Sequence, residues 1–199
     1  MSKKLAIIGA GGHGKVVGEI ALLNQYETIE FFDDKIDEIE NYPFNICGNL
    51  DQLEDNLSNY DAFFVAIGDN KVRYNKTSWL RKKNVNIVSL IHPKSTISRL
   101  SSLGSGSCVM ANSAINPETH IKEGVIINTS SSIDHDCTIE DYTHISPNCS
   151  LSGNVSIGKF THLGTCTSVH PGIHIGNNVK TGIGSRVFKD VLDDTIFKN

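Results

Sequence analysis

The sequence contains no run of 18 apolar residues, so we expect no transmembrane helix. The apolar stretch behind the N-terminal lysines covers only Leu5 to Ile8, which is too short for a signal peptide. Positive charge is not in excess either, because 22 Asp and Glu residues face 18 Lys and Arg residues, with a formal net charge of −4. These absences argue against membrane insertion and against a broad nucleic-acid-binding surface, which would be basic.

Cysteine pairs with metal-site or disulfide spacing are also missing. The number of cysteines, five, is odd, and no two of them form a CxxC motif. We therefore expect neither a zinc knuckle nor a disulfide framework, but reduced structural thiols in a cytoplasmic protein. The five are Cys47, Cys108, Cys137, Cys149 and Cys166.

The first half of the chain alternates short apolar runs with amphipathic segments. Such alternation predicts a parallel sheet with right-handed crossovers, and we assign residues 1–93 to a half-Rossmann α/β domain. Strands are predicted at Leu5–Ile8, Thr28–Phe32, Ala62–Gly68 and Val85–Ile91, and helices at Gly14–Asn24 and Asn70–Lys83.

A glycine-rich motif, GAGGHG at Gly9–Gly14, follows the first strand and opens the first helix. In this context glycines let the backbone approach a pyrophosphate at the helix N-terminus, and Asp33 or Asp34, about twenty residues later, can hold a ribose hydroxyl. The motif alone suggests NAD, but residues 1–93 provide only half of a dinucleotide fold. A nucleotide sugar fits this size better, while a dehydrogenase and a purely structural turn stay open as alternatives.

We assign residues 94–199 to a second domain, in which residues 97–187 follow a six-residue rhythm. From Ile97 to Val187, every sixth residue is Ile, Leu or Val at fifteen of sixteen positions, and Thr181 is the exception. A second register, four residues after each aliphatic one, holds mostly small side chains, including two of the cysteines. One large and one small inward residue per hexad is typical of a parallel β-helix, so we predict an all-β coil domain here.

The hexads resemble those of the left-handed β-helix acyltransferases, in which three hexads, or 18 residues, complete one triangular coil. With this coil, residues 18 apart stack on one face, so we expect His162 over His144 and Gly153 over His135. His135 and His144 are half a coil apart, so they point in different directions and could meet only across an interface between two prisms.

Eight histidines raise the question of a metal site. Only His144 and His162 stack, and no carboxylate joins them at 18-residue steps, so we predict no metal. The remaining outward histidines are expected to be solvated, as is His162 itself. They are His120, His170 and His174.

His135 lies between two acids, Asp134 and Asp136, and its outward phase excludes a core role. A neighbouring carboxylate orients an imidazole and raises its basicity, so His135 is a candidate general base. A solvated surface histidine is the alternative interpretation.

Three segments of the coil domain carry a more specific resemblance: Asn128–Cys137 (NTSSSIDHDC), Thr143–Ser146 (THIS) and Leu151–Val155 (LSGNV). They resemble the bacterial sugar O-/N-acyltransferases, which include sialic acid O-acetyltransferases and the UDP-4-amino-sugar N-acetyltransferases of bacillosamine synthesis. The resemblance extends to the N-terminal half through Phe32–Lys35 (FDDK) and Ala66–Arg73 (AIGDNKVR).

The resemblance implies roles for individual residues. His135 would be the general base and Asp136 its supporting carboxylate, while His144 and Gly153 would contact the thioester region of acetyl-CoA. Arg73 would either pair with phosphate or face solvent on its helix. Further cofactor contacts are expected at Gly164 and Gly182, and substrate contacts at Gly11, Gly12, His13, Asp33, Asp34, Gly68 and Asn70.

We therefore expect an acetyl-CoA-dependent N-acetyltransferase that acts by direct transfer on a nucleotide-linked, UDP-type 4-amino-deoxy sugar for surface glycan synthesis. The resemblance also implies a homotrimer with active sites between subunits, acetyl-CoA as co-substrate and no metal. Sugar O-acetylation, as of sialic acid, is the alternative, because an amine and a hydroxyl need the same base. A trimeric scaffold with a nucleotide-sensing domain and no chemistry is a second alternative.

Overall fold

The structure, a computed structural model, describes residues 3–198, which separate into two units between Leu90 and Ile91. Each unit has its own sheets and its own apolar core. Within this described part of the chain, no helix has the length and apolar character that a membrane crossing requires.

The first unit is built from four strands and three α-helices. They are β1 Lys4–Ile8, α1 Gly12–Leu23, β2 Thr28–Phe32, β3 Asn45–Gly48, α2 Leu50–Glu54, β4 Ala62–Val65 and α3 Asn70–Lys82, with single 3-10 turns at Ile36–Glu38 and Leu57–Asn59. The sheet is parallel, with strand order β3-β2-β1-β4. The strand order reverses at β1, so the carboxyl ends of β1 and β4 lie side by side, which is where open α/β sheets bind ligands.

Strands β1 and β4 carry continuous apolar runs because both of their faces are covered. Leu5 and Ile7 of β1 and Phe63 and Phe64 of β4 are almost completely buried. Helix α3 begins where Asp69 accepts the backbone N–H of Val72 at 2.9 Å, a side-chain cap that supports the helix start.

The predicted strand Val85–Ile91 is wrong for most of its length. Only Leu90–Ile91 forms a strand, and Ile87 makes an isolated parallel bridge to Phe63. Strand β3 and helix α2 were not predicted, because four-residue and five-residue elements hold too few apolar positions to show a period.

The second unit is the predicted left-handed parallel β-helix. Its strands, together with the one at the boundary, are two residues long: β5 Leu90–Ile91, β6 Thr96–Ile97, β7 Ser102–Leu103, β8 Cys108–Val109, β9 Ala114–Ile115, β10 His120–Ile121, β11 Ile126–Ile127, β12 Ser132–Ile133, β13 Thr138–Ile139, β14 His144–Ile145, β15 Ser150–Leu151, β16 Ser156–Ile157, β17 His162–Leu163, β18 Ser168–Val169, β19 His174–Ile175, β20 Lys180–Thr181, β21 Arg186–Val187 and β22 Ile196–Phe197. Three parallel sheets result, with orders β19-β16-β13-β10-β7, β22-β20-β17-β14-β11-β8-β5 and β21-β18-β15-β12-β9-β6.

Strand pairing confirms the 18-residue coil. Ile127 pairs with Ile145 and Ile145 with Leu163, and the same step recurs in the other two sheets. From Val109 to Val187 the hexad aliphatics form a buried ladder inside the prism, and Ile97 and Leu103 pack against it partly buried. Each such side chain contributes about 1.5–3 kcal/mol when fully buried, so the rhythm of the sequence is also the main source of stability.

The small inward residues satisfy their own polar groups. The hydroxyl of Thr119 donates to the carbonyl of Asp134 and accepts the backbone N–H of Cys137, and other Ser and Thr residues of this register repeat the pattern. Cys137 and Cys149 are buried in the same register, as predicted. Thr181, which interrupts the aliphatic rhythm, accepts the N–H of Gly164 at 2.9 Å, so this buried hydroxyl is paired.

The turns between strands place one residue of most hexads in the left-handed backbone region. Examples are Asn112 at φ 58°, Asp136 at φ 58° and Asn154 at φ 58°. A left-handed backbone costs most side chains roughly 1–2 kcal/mol. Among residues other than glycine, Asn and Asp tolerate it best. The turns therefore project their flanking side chains outward in a fixed direction, and this is where His135 lies.

Candidate functional site

His135 occupies the turn that follows β12. Its Nδ1 lies 2.6 Å from Asp136 Oδ2, and its backbone N–H donates to Asp134 Oδ1 at 2.9 Å. Asp134 is held in turn by the Asn116 side-chain amide at 2.8 Å. The side chains of His135 and Asp136 are each 58% exposed, so the imidazole points outward as predicted.

These contacts tune the imidazole as a base. The hydrogen bond to Asp136, and next the charge of Asp134, raise the pKa of His135 above its usual value. The Asn116 amide and the His135 N–H lower the pKa of Asp134, which keeps that carboxylate charged. When Asp136 accepts the proton on Nδ1, Nε2 is left with the lone pair that a general base requires.

Gly153 stacks over His135, as the 18-residue step predicts. A Cβ on residue 153 would lie 2.6 Å from His135 Cε1 and 2.7 Å from Nε2, so only glycine fits above the ring as it stands. The Gly153 carbonyl accepts the N–H of Gly172 at 3.0 Å. Among residues 3–198, by contrast, nothing accepts the N–H of Gly153 itself.

His144 and His162 also stack, as predicted, with ring centroids 4.5 Å apart and planes inclined by 11°. The Asn128 side-chain amide lies 3.2 Å from His144 Nε2, and the Ser146 hydroxyl lies 2.9 Å from His162 Nε2. His162 is therefore half-buried against its neighbour, and the expectation of a solvated surface residue is wrong for it. His120, His170 and His174 are exposed.

The two histidine sites lie on different faces of the prism. His135 follows β12 in one sheet, whereas His144 belongs to β14 in another. Within the described residues, no group of three or more His, Cys, Asp or Glu side chains is arranged to hold a metal ion.

Gly164 and Gly182, the other predicted cofactor contacts, already use their backbone N–H groups. Gly164 donates to Thr181 Oγ1 at 2.9 Å, and Gly182 donates to the Phe197 carbonyl at 2.9 Å. A Cβ on Gly164 would lie 2.6 Å from the Thr181 carbonyl oxygen, so the close approach of two coils explains this glycine. Their contact with a cofactor stays a prediction.

A groove of about 210 Å³ lies on the same face of the prism as His135 and Gly153, in the coils that follow them. It begins at Ser152, and His170 and Phe188 stand above Ser152 at successive 18-residue steps. Arg186 and Phe188 line it and were not predicted as site residues, although the same arithmetic could have found them. The full lining is Ser152, Ser168, Val169, His170, Pro171, Arg186 and Phe188.

In the first unit, the glycine-rich loop joins β1 to α1. The Ala10 N–H donates to Asp33 Oδ2 at 2.8 Å, so Asp33 holds this loop in place. A Cβ on Gly11, Gly12 or Gly68 would meet nothing within 4 Å, which leaves open space beside both loops at the carboxyl edge of the sheet. Helix α1 begins without a side-chain cap and without an acid in its first turn, so its N-terminal N–H groups suit an anion.

His13 and Arg73 lie beside these loops. Burial, and then the charge of Arg73, lower the pKa of His13 to about 4, so its imidazole is neutral at pH 7. Arg73 is 1% exposed and donates to the carbonyls of Ile67 and Gly68 at 2.9 and 3.0 Å and to Asn70 Oδ1 at 2.8 Å. The expectation that Arg73 faces solvent is wrong, because its guanidinium holds the loop after β4.

The carboxylate of Asp34 has different partners from that of Asp33. It forms an ion pair with Lys76 at 2.8 Å and accepts the Leu50 N–H, and the Lys76 contacts help to lower its pKa against a burial effect that raises it. It lines a cavity of about 630 Å³ together with Trp79. A ribose contact by either acid stays a prediction.

Comparisons with known proteins cover both units. Residues 4–80 match the model of the PglD N-terminal domain. The chain is 34% identical over 116 residues to the UDP-N-acetylbacillosamine N-acetyltransferase of Bacillus subtilis strain 168. The matched segment covers 55% of this chain and 52% of that relative, so the match spans about half of the relative's length.

Several solved structures match along the whole chain, and two of them illustrate the likeness. One is the acetyltransferase domain of PglB from Neisseria gonorrhoeae in complex with acetyl coenzyme A, with 36% identity, a TM-score of 0.95 and coverage of 100% of this chain and 97% of that one. The other is PerB from Caulobacter crescentus in complex with CoA and GDP-perosamine, with 33% identity, a TM-score of 0.91 and coverage of 100% and 95%.

Proposed function

Because the chain belongs to the family of acetyl-CoA-dependent sugar N-acetyltransferases, we propose that it acetylates the amino group of a nucleotide-linked 4-amino-deoxy sugar during surface glycan synthesis. The relative from B. subtilis acts on a UDP sugar by its name, and PerB was solved with a GDP sugar. We propose UDP as the nucleotide here, and the GDP sugar is the direct competitor in the test.

In the proposed reaction, the amine of the sugar attacks the thioester carbonyl of acetyl-CoA. The C–N bond forms, the C–S bond breaks, CoA leaves as the thiol or thiolate, and His135 Nε2 takes the proton that the amine loses. Asp136 holds the ring through Nδ1 and supports the positive charge that develops on it. The observation that carries this role is the 2.6 Å contact between His135 Nδ1 and Asp136 Oδ2 on an exposed turn.

The N–H of Gly153 is the proposed donor to the oxyanion of the tetrahedral intermediate. This N–H has no acceptor among residues 3–198 and belongs to the residue stacked on His135, so the base and the donor are neighbours. A donor of this kind is worth roughly 2.7–4 kcal/mol in other enzymes.

We propose a homotrimer with active sites between subunits. His135 and His144 follow or belong to strands of different sheets, so a second prism is needed to bring a His144 to the His135 site. The proposed ligand of His144 is acetyl-CoA, and that of the open space at Gly11, Gly12 and Gly68 is the nucleotide sugar. All five cysteines are free thiols, which suits a reducing compartment such as the cytoplasm.

The test is a thiol-release assay with acetyl-CoA and a panel of UDP-, dTDP- and GDP-linked 4-amino sugars. We expect turnover with a UDP sugar and a loss of roughly 10²–10⁴-fold in kcat for His135→Asn, the range for a positioned general base. His174→Asn, at an exposed histidine whose Nδ1 lies 2.8 Å from the Ser156 hydroxyl, is the matched control. Turnover with sialic acid but with no amino sugar would overturn the proposal in favour of O-acetylation.

A further inference from the structure

Two histidines in successive coils are bonded in the same way. Asn128 lies 3.2 Å from His144 Nε2, and Ser146, one coil above Asn128, lies 2.9 Å from His162 Nε2. In both cases the polar side chain is sixteen residues before the histidine, and the two rings stack at 4.5 Å. Two successive coils thus repeat the same contact between a polar side chain and the Nε2 atom of a histidine.

The orientation of the Asn128 amide is set by the backbone. The N–H of Thr129 lies 2.8 Å from Asn128 Oδ1, and a backbone N–H only donates. The amide oxygen must therefore face Thr129, which turns the amino group toward His144. An amide NH₂ also only donates, so Nε2 of His144 is the acceptor, and the proton of the neutral ring is on Nδ1.

We propose that Asn128 is a positioning residue that holds His144 as the neutral tautomer protonated on Nδ1, and that the Thr129 N–H is what orients it. The inference rests on the proposed function, since it concerns the state in which His144 meets acetyl-CoA. Protonation of Nε2 would cost His144 its bond to Asn128. The contact with Asn128 therefore favours the neutral ring, and the proposed proton acceptor is His135.

The surroundings of His144 oppose a change of ring orientation. Its backbone is paired on both sides, to Ile126 and to His162, so the start of the side chain is fixed. A half-turn of the ring would keep the stack with His162 but would present Cε1 instead of Nε2 to Asn128. The hydrogen bond would be lost, leaving the amino group of Asn128 without this partner.

Two variants test the tautomer from opposite sides. In Asn128→Asp the carboxylate only accepts, so His144 must place a proton on Nε2, either by changing tautomer or by becoming a cation. In Thr129→Pro the orienting N–H is removed while Asn128 and His144 are retained. The fold accepts proline at this hexad position, because Pro117, Pro147 and Pro171 occupy the same one and Pro147 is a single coil above Thr129.

The readout is the ¹⁵N NMR spectrum of histidine-labelled full-length protein, with His144→Gln used to assign the ring. We expect a protonated Nδ1 and an unprotonated Nε2 in the parent, a protonated Nε2 in Asn128→Asp and a mixture in Thr129→Pro. In the thiol-release assay, Asn128→Asp should lose roughly 10–100-fold in kcat, the size of effect seen when the partner that orients a metal-binding histidine is removed in other enzymes. Asn148→Asp, the same chemical change on an exposed turn, is the control.

Ring nitrogen shifts that are reversed in the parent, or unchanged in Asn128→Asp, would overturn the proposal even if activity falls. Altered shifts with full activity would also overturn it, because the tautomer would then have no use in the reaction. A parent protein without acetyl transfer would overturn the proposed function, and the nitrogen shifts would still decide the tautomer separately. Melting curves on all variants show whether each one is folded.

Discussion

Gly153 lies so close above His135 that a Cβ on residue 153 would come within 2.6 Å of the imidazole. The two residues are not neighbours in sequence, and the contact exists because one turn of the prism takes 18 residues. The side chain that would move to relieve such a clash is the exposed imidazole, not the packed coil. Residue 153 therefore controls where the proposed base stands without contributing a side chain of its own.

Gly153→Ala should reduce activity much more than stability. The new methyl group displaces the imidazole, which separates it from Asp136 and from the proposed oxyanion donor, so we expect kcat to fall by roughly 10²–10⁴-fold. The melting temperature should change little, because the His135 side chain is free to swing into solvent. Gly184→Asn is the control, since that glycine has left-handed φ 71°, which Asn tolerates, and open space around it. Full activity in Gly153→Ala would contradict the assignment of His135.

Asp136→Asn should move the acid limb of the pH–rate profile to lower pH. The base must be unprotonated to act, so activity is lost as the pH falls through the pKa of His135. That pKa is raised above 6.5 mainly by the Asp136 hydrogen bond, so an amide in its place lowers it. The maximal rate should also fall, because the amide leaves a weaker base. The profile of kcat/KM against pH measures both effects, and an unmoved limb would show that Asp136 does not tune His135.

Much of the second unit could be predicted from the sequence, because in a hexad repeat the number of residues between two positions fixes where they lie relative to each other. Each stacking contact, including His162 over His144 and Gly153 over His135, follows from counting 18 residues. The hydrogen bond of Asn128 to His144 spans sixteen residues and depends on how a side chain bends back across a turn. Residue counts do not reveal that direction, so this contact required the structure.

The first unit was less predictable because its contacts do not repeat. The helical pattern places Arg73 on α3. The burial of its side chain depends on the loop after β4, because the guanidinium donates hydrogen bonds to the carbonyls of that loop. A basic residue among other basic residues gives no sign of this in the sequence. Similarly, the acids at 33 and 34 resemble a ribose site, yet one holds the glycine-rich loop and the other pairs with Lys76.

Arg73→Met should destabilise the first unit and weaken nucleotide-sugar binding. The substitution keeps the apolar stem but removes the guanidinium from the part-buried carbonyls of Ile67 and Gly68, at a cost of up to roughly 1–3 kcal/mol for each. Arg73→Lys should rescue only part of the loss, because an ammonium lacks the planar fork that reaches these oxygens. Chemical denaturation measures the free energy of unfolding. The KM for the nucleotide sugar shows whether the loop after β4 still supports substrate binding. Lys71→Met, exposed on the same helix, is the control, and equal stability of the two Met variants would contradict the role of Arg73.

His13 should make the folded state sensitive to acid between pH 6.5 and about 4. Above this window the imidazole is neutral in both states and has no effect. Below pH 6.5 the unfolded chain binds a proton that the folded chain refuses until about pH 4, so stability falls as the pH falls, by up to about 3 kcal/mol.

The His13→Gln variant isolates this effect from the titration of carboxylates. The free energy of unfolding of the parent minus that of the variant should decline as the pH is lowered through the window and level off below it. Gly184→Asn, which changes no titratable group, should give a flat difference. A flat difference for His13→Gln as well would show that His13 accepts a proton in the folded protein as readily as in the unfolded chain, and its burial beside Arg73 would then not govern its charge.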